Sequence, residues 1–230
     1  MRCTPRLTRA QVRLSLGDTQ GALDDVKSYI DTAENAMELL PNLINIYEAT
    51  GDFQTAADYY TLLLNDETYR SDDYYLNRAY CYTNLGQMEL AEADCERYAA
   101  AGGADAATAD VMMGIGWMRQ SEYARADEAF LSALARGYEN PEALNYYIVL
   151  CSYISEDYAR ACEYGDRAVQ AILSGEGGQT ADLRLEEATG KLKVTLAKTD
   201  VSSLCLMTGA AHVQMGDYDS AIDSLTACLK

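Results

Sequence analysis

Basic residues, proline and histidine are scarce in this chain, and each scarcity removes a class of function. Lys and Arg total 18 against 36 Asp and Glu, for a formal charge of -18. Such a surface repels phosphate backbones and anionic lipid headgroups alike, so neither nucleic-acid nor membrane binding is expected. A single histidine, His212, leaves little for proton transfer or metal ligation. With only three prolines, and most of the 16 glycines at regular intervals, the chain suits helices joined by short turns better than a β-sandwich. No stretch approaches the roughly 18 consecutive apolar residues of a membrane span. Met1-Arg2-Cys3-Thr4-Pro5 is followed by no apolar signal core. A cytoplasmic protein is expected, or an extracytoplasmic one if the chain is a fragment that has lost a signal sequence. The seven cysteines are an odd number without a C-x-x-C pair, which reads as small buried apolar residues in a reducing compartment.

What is present is a repeat. The content of 49% hydrophobic and 23% charged residues is ordinary for a well-packed protein. Within it one frame keeps returning: a glycine-like residue, a polar one, an aromatic, two variable positions and an alanine. It runs from Gly17 to Ala22, Gly51 to Ala56, Gly86 to Ala91, Ser121 to Ala126, Glu156 to Ala161 and Gly216 to Ala221. The alanines lie 34, 35, 35, 35 and 60 residues apart. Gly17, Gly51, Gly86 and Gly216 stand where one helix must stop and reverse. Asp18, Asp52, Glu122, Asp157 and Asp217 fall near the next helix start, where the dipole favours negative charge. Phe53, Tyr123, Tyr158 and Tyr218 are expected to place a ring between paired helices, and the alanines to allow close approach. Four residues on stand Val26, Tyr60, Cys95, Phe130, Gly165 and Leu225, and seven on Tyr29, Leu63, Tyr98, Ala133, Ala168 and Cys228, the stripe of a buried helix face.

Twelve residues before each alanine stand Ala10, Ile44, Ala79, Gly114, Val149 and Gly209; nine before stand Arg13, Tyr47, Tyr82, Trp117, Ser152 and His212. A small residue, then an aromatic, then Gly-Asp-Tyr-x-x-Ala resembles the tetratricopeptide repeat. The resemblance covers everything except about residues 174–200. Arg13 and His212 in place of the aromatic, Thr19 and Met88 after the turn, and Gly165 on the second helix depart from the pattern. The resemblance implies an all-α fold: a right-handed superhelical solenoid of antiparallel helix pairs, whose first helices line a concave groove for peptides or partner helices. One domain is expected over 1–230, with repeats near 3–34, 35–70, 71–105, 106–140, 141–173 and 201–230. The last helix carries Ile222, Leu225 and Leu229 with no polar capping helix behind it, so the chain is expected to be a piece of a longer array or to cover its ends by self-association.

The surplus between the fifth and sixth alanines marks an insertion at 174–200. Ser174-Gly175-Glu176-Gly177-Gly178 reads as a loop, and Leu183, Leu185, a turn near Thr189-Gly190, then Leu192, Val194 and Leu196 alternate as a β-hairpin would near 181–198. A helix with Leu185, Leu192 and Leu196 on one side is the alternative. Arg184, Lys191, Lys193 and Lys198 form a basic patch, as do Arg2, Arg6, Arg9 and Arg13; the patch is either solvated or a docking element for an acidic partner or neighbouring copy.

No catalytic constellation or cofactor site is expected. His212 falls at a helix-packing position, and Cys205, seven residues away, is two turns or about 10 Å off. Gly114-Ile115-Gly116 lies within a helix, and Gly190-Lys191 lacks the rest of a phosphate loop.

In the geometry implied by the resemblance, the groove divides into two halves. The second and third repeats offer Asn42, Asn45, Asn77 and Tyr80, able to bond both donors and acceptors of an extended backbone. The fourth to sixth offer Met112, Ile115, Tyr146, Tyr147, Leu150 and Met207, an apolar floor. Relatives that clamp the terminal carboxylate of chaperone tails use two asparagines and three cations. Asn45 and Asn77 match the asparagines, but Pro41, Thr108 and Met112 occupy the cationic positions, which argues against such a ligand. A neutral or basic partner with an apolar segment is expected, held by a scaffold or interaction module. The alternatives are a self-assembling array without a groove ligand and the peptide-sensing part of a larger regulatory protein.

Overall fold

The computed structural model describes residues 5–30, 37, 40–139, 141–173, 184–187, 192–195 and 201–227. Cys3, Cys228, Leu229 and most of the 174–200 insertion lie outside them. Helices α1 to α6 are Pro5–Ser15, Thr19–Ile30, Leu40–Thr50, Phe53–Asn65, Asp73–Leu85 and Met88–Ala100. Helices α7 to α12 are Ala106–Arg119, Tyr123–Ala135, Pro141–Ile154, Tyr158–Leu173, Val201–Met215 and Tyr218–Ala227. Each consecutive pair packs together, forming six helical hairpins of an all-α repeat fold. Two compact units divide the chain, Met1–Ala104 with the first three hairpins and Asp105–Lys230 with the last three. Within the insertion, Arg184–Glu187 (β1) pairs antiparallel with Leu192–Thr195 (β2), Arg184 opposite Thr195 and Glu187 opposite Leu192.

The repeated frame builds the same turn six times. The residue at its polar position donates its backbone N–H to the carbonyl five residues earlier: Asp18 to Arg13, Asp52 to Tyr47, Gln87 to Tyr82, Glu122 to Trp117, Asp157 to Ser152 and Asp217 to His212, all at 2.8–2.9 Å. This bond closes a helix end only if the residue before it takes a left-handed conformation. Gly86 does so at φ 73° without strain. Ser121 (φ 63°) and Glu156 (φ 62°) are held there despite their side chains, because the hydrogen bond and flanking helices leave no other path. The carboxylate then caps the next helix. Asp18, Asp52, Asp157 and Asp217 accept the N–H of the residue three further on, at 3.0–3.2 Å.

Burial follows the frame. Ala22, Ala56, Ala91, Ala126 and Ala161 are wholly buried and Ala221 nearly so. At the small position of the opposing helix a side chain would collide: a Cβ on Gly114 would stand 2.5 Å from the Phe130 ring, and one on Gly209 2.7 Å from Leu225. Gly165 has the same cause, since Thr208 Oγ1 of α11 lies 2.2 Å from where its Cβ would be. Of the frame aromatics, Phe53 packs edge-on against Tyr80 and Tyr158 against Tyr153. Tyr218 does not fill an interhelical space; it is 64% exposed. Phe53 meets a ring on the following hairpin's first helix, and among the described residues no helix follows α12.

Candidate functional site

The first helices of the hairpins, α1, α3 and α5 in one unit and α7, α9 and α11 in the other, carry the residues expected to face a partner. In the first unit Asn45 is exposed on α3, while Asn77 and Tyr80 are half-buried on α5. Asn42 sits one turn before Asn45, with its side chain outside the described residues. Tyr80 is braced by Phe53, ring centroids 5.7 Å apart. Helix α5 is fixed to α4 and α6 by a buried polar junction. Arg78 donates to both oxygens of Asp94 on α6, through Nε at 2.7 Å and Nη2 at 2.8 Å, and through Nη1 to Thr61 Oγ1 on α4 at 2.8 Å. One guanidinium thus ties three helices. Its pKa is raised by the Asp94 hydrogen bond, so it stays charged while buried. The rings of Tyr75 and Tyr82 lie within 6 Å of the same cation, at 5.9 and 5.7 Å.

Arg9 and Asp25 occupy the equivalent positions two repeats earlier, again 16 residues apart, and make the same pair through Nε at 2.8 Å and through Nη2. Arg13, standing where the repeat usually has an aromatic, bonds the Gly21 carbonyl at 2.7 Å and Asp25 at 3.0 Å. His212, another non-aromatic residue at that position, bonds Asp166 of α10 through Nε2 at 2.9 Å. Both substitute a polar tie for an aromatic contact. Nothing in the hydrophobic periodicity points to these pairs; the signal that could find them is an Arg thirteen before and an Asp three after the frame alanine.

The second unit requires a correction. Met112 and Ile115 do not form an open floor: they are 0% and 2% exposed, and Tyr147 is 5% exposed. Val111 to Trp117 of α7 are buried on every side, as a helix apolar all round must be, and strand β2 runs beside α7. Tyr147 is taken up by Phe130, its ring centroid 5.6 Å away. Tyr146, Leu150 and Met207 remain half-buried. Tyr146 stands edge-on to Tyr147, and Met207 packs on the cluster around Val149, Leu204 and Cys205.

The described cysteines are built into the interior. Cys81, Cys95, Cys151, Cys162 and Cys205 are buried free thiols. Burial, reinforced by Asp127, pushes the Cys151 thiol up to about 12, and burial with Asp166 and Asp217 pushes Cys162 up to about 11, the reverse of what a nucleophile needs. Among the described residues no cluster of His, Cys, Asp or Glu could hold a metal ion, and no helix is long and apolar enough to cross a membrane.

Models of the tetratricopeptide repeat match residues 42–106, 112–175 and 202–230, more than half of the sequence. The chain belongs to the tetratricopeptide repeat family. No curated protein sequence matches it. Among solved structures it is similar to a tetratricopeptide repeat protein from Parabacteroides merdae, at 17% identity and a TM-score of 0.56, covering 95% of this chain and 75% of that one. It is similar also to MamA from Desulfovibrio magneticus (18% identity, TM-score 0.56, 74% of this chain and 97% of that one). A third is Pseudomonas aeruginosa pilF (14% identity, TM-score 0.53, 95% and 86%). At these identities the likeness speaks for the repeat fold alone. Tetratricopeptide repeats generally mediate protein–protein interaction and scaffolding and are generally non-catalytic.

Proposed function

We propose that this tetratricopeptide repeat protein is a scaffold that holds an extended peptide or protein segment on the first-helix face of its Met1–Ala104 unit. What supports this reading is exposed Asn45 on α3 together with half-buried Asn77 and Tyr80 on α5, a helix that Arg78 ties to α4 and α6. A carboxamide offers both a donor and an acceptor. Two of them on neighbouring helices can therefore bond an extended backbone whatever its side chains. No cation stands at Pro41, the position where carboxylate-clamping relatives carry one, and with the chain at -18 the ligand is neutral or basic, with an apolar segment to lie against Tyr80. The partner is neither nucleic acid nor a membrane surface, and a cytoplasmic location fits the buried free thiols.

Panning a displayed library of random peptides against the full chain, followed by calorimetric titration of a selected peptide, tests the reading. Asn45→Ala with Asn77→Ala should weaken binding at least tenfold with helicity unchanged. Equal affinity would remove the backbone clamp. Tyr146→Ala, at a half-buried position, reports on the other unit, and loss of binding there alone would move the site to α9.

A further inference from the structure

We infer that the outer face of α11 and α12 docks helix α1 of a second copy of this chain, head to tail. The template is the junction of α3 and α4 with α5. There α5 lays Cys81, ten residues before its frame alanine, against Glu48, with Sγ to Oε1 at 3.4 Å. It covers Ala57 to 1% exposure and places Arg78 Nη1 on Thr61 Oγ1 at 2.8 Å. The junction of α9 and α10 with α11 repeats the scheme, with Ala211 packed among Tyr153, Ala161 and Cys162.

On the last hairpin the matching positions are Val213, Ile222 and Thr226, and they are open. Val213 is 44% and Ile222 61% exposed, whereas Ala57 and Cys162 at the Ile222 position are buried. Helix α1 carries the complement. Val12, at the position of Cys81 and Ala211, is 53% exposed, an apolar side chain to set against Val213 and Ile222. Arg9, at the position of Arg78, already holds Asp25 through Nε and Nη2 as Arg78 holds Asp94. Its Nη1 bonds no described residue, and Thr226 supplies at α12 the hydroxyl that Thr61 supplies to Arg78. The charges agree: α1 bears Arg6, Arg9 and Arg13 without an acid of its own, Arg9 and Arg13 sharing the single carboxylate of Asp25, and α12 bears Asp219 and Asp223 without a base. Because the two faces differ, the contact is heterologous and passes from one copy to the next beyond a dimer. It is independent of the peptide face, since it uses neither Asn45 nor Asn77.

Sedimentation velocity of the full chain, from low micromolar to millimolar concentration, reads the assembly. The parent should grow into progressively larger species. Val12→Glu and Ile222→Glu, both at exposed positions, should each remain monomeric with unchanged helicity. An equimolar mixture of the two keeps one sound α1 and one sound α12 face, so it should form a heterodimer and nothing larger. Asn45→Ala with Asn77→Ala should assemble like the parent. A parent that stays monomeric throughout overturns the inference and leaves the α12 face to a different helical protein. A mixture that stays monomeric, or an Ile222→Glu chain that assembles like the parent, overturns it equally.

Discussion

The Arg78 junction offers the sharpest test of how the repeats are held, because one deletion strands a buried cation. Asp94→Ala removes two hydrogen bonds, 2.7 and 2.8 Å long, from a guanidinium whose side chain is 10% exposed, against 2% for Asp94. Breaking a buried ion pair by removing one partner costs about 3–5 kcal/mol, because the remaining charge is left uncompensated. Arg78 keeps Thr61 and its two neighbouring rings, which places the expected loss near the lower end, about 3 kcal/mol, or roughly two powers of ten in the unfolding equilibrium. Urea titration followed by far-ultraviolet circular dichroism measures it. Asp58→Ala, on the exposed face of the preceding second helix, is the control and should stay within about 0.5 kcal/mol. The double change Arg78→Met with Asp94→Leu should recover most of the loss, since an apolar pair of similar volume is often as stable as the ions. A loss below about 1 kcal/mol for Asp94→Ala would refute the reasoning, since the cation would then be solvated in a way its burial denies.

Four further outcomes follow from the same geometry. Ala126→Leu overpacks a wholly buried contact and should cost about 1–3 kcal/mol by urea titration; a neutral result would mean the repeat register is wrong. Glu156→Gly relieves a left-handed backbone at φ 62° and should raise stability by about 1 kcal/mol, visible as a rise in Tm, whereas Gly86→Ala should lower it. Cys151, its thiol pushed up to about 12 by burial, should resist alkylation at pH 8 in the native protein and react at once in denaturant. The Arg9 hydrogen bond lowers the pKa of Asp25, so this carboxylate contributes stability that is whole above its unfolded value of about 3.9. That contribution is lost as pH falls through the lower folded value. Asp25→Asn should be less stable at neutral pH and should lose less on acidification, measured by urea midpoints across that window.

How far the sequence alone reaches depends on whether a feature is local to one helical hairpin. The turn is local, and its frame locates all six hydrogen-bonded reversals, including those where Ser121 and Glu156 stand in for glycine, because the surrounding positions over-determine the bend. The buried alanines are likewise readable, since a helix has one face and a period of 3.6. The ion pairs are not, because Arg78 and Asp94 look like surface residues until the hairpin folds Asp94 back over Arg78, and Thr61 joins them from the preceding hairpin. The opposite failure occurs at α7, where register alone points to Met112 and Ile115 as groove positions although both are buried. Val-Met-Met-Gly-Ile-Gly-Trp has no polar side to show a ligand, and a helix without one is covered. A surface is therefore legible only where polar residues interrupt the apolar period, as Asn45 and Asn77 do on α3 and α5. Exposed apolar residues invert that rule. Ile222 stands where Ala57 and Cys162 are buried, yet it is 61% exposed, and among the described residues no helix follows α12 to cover it.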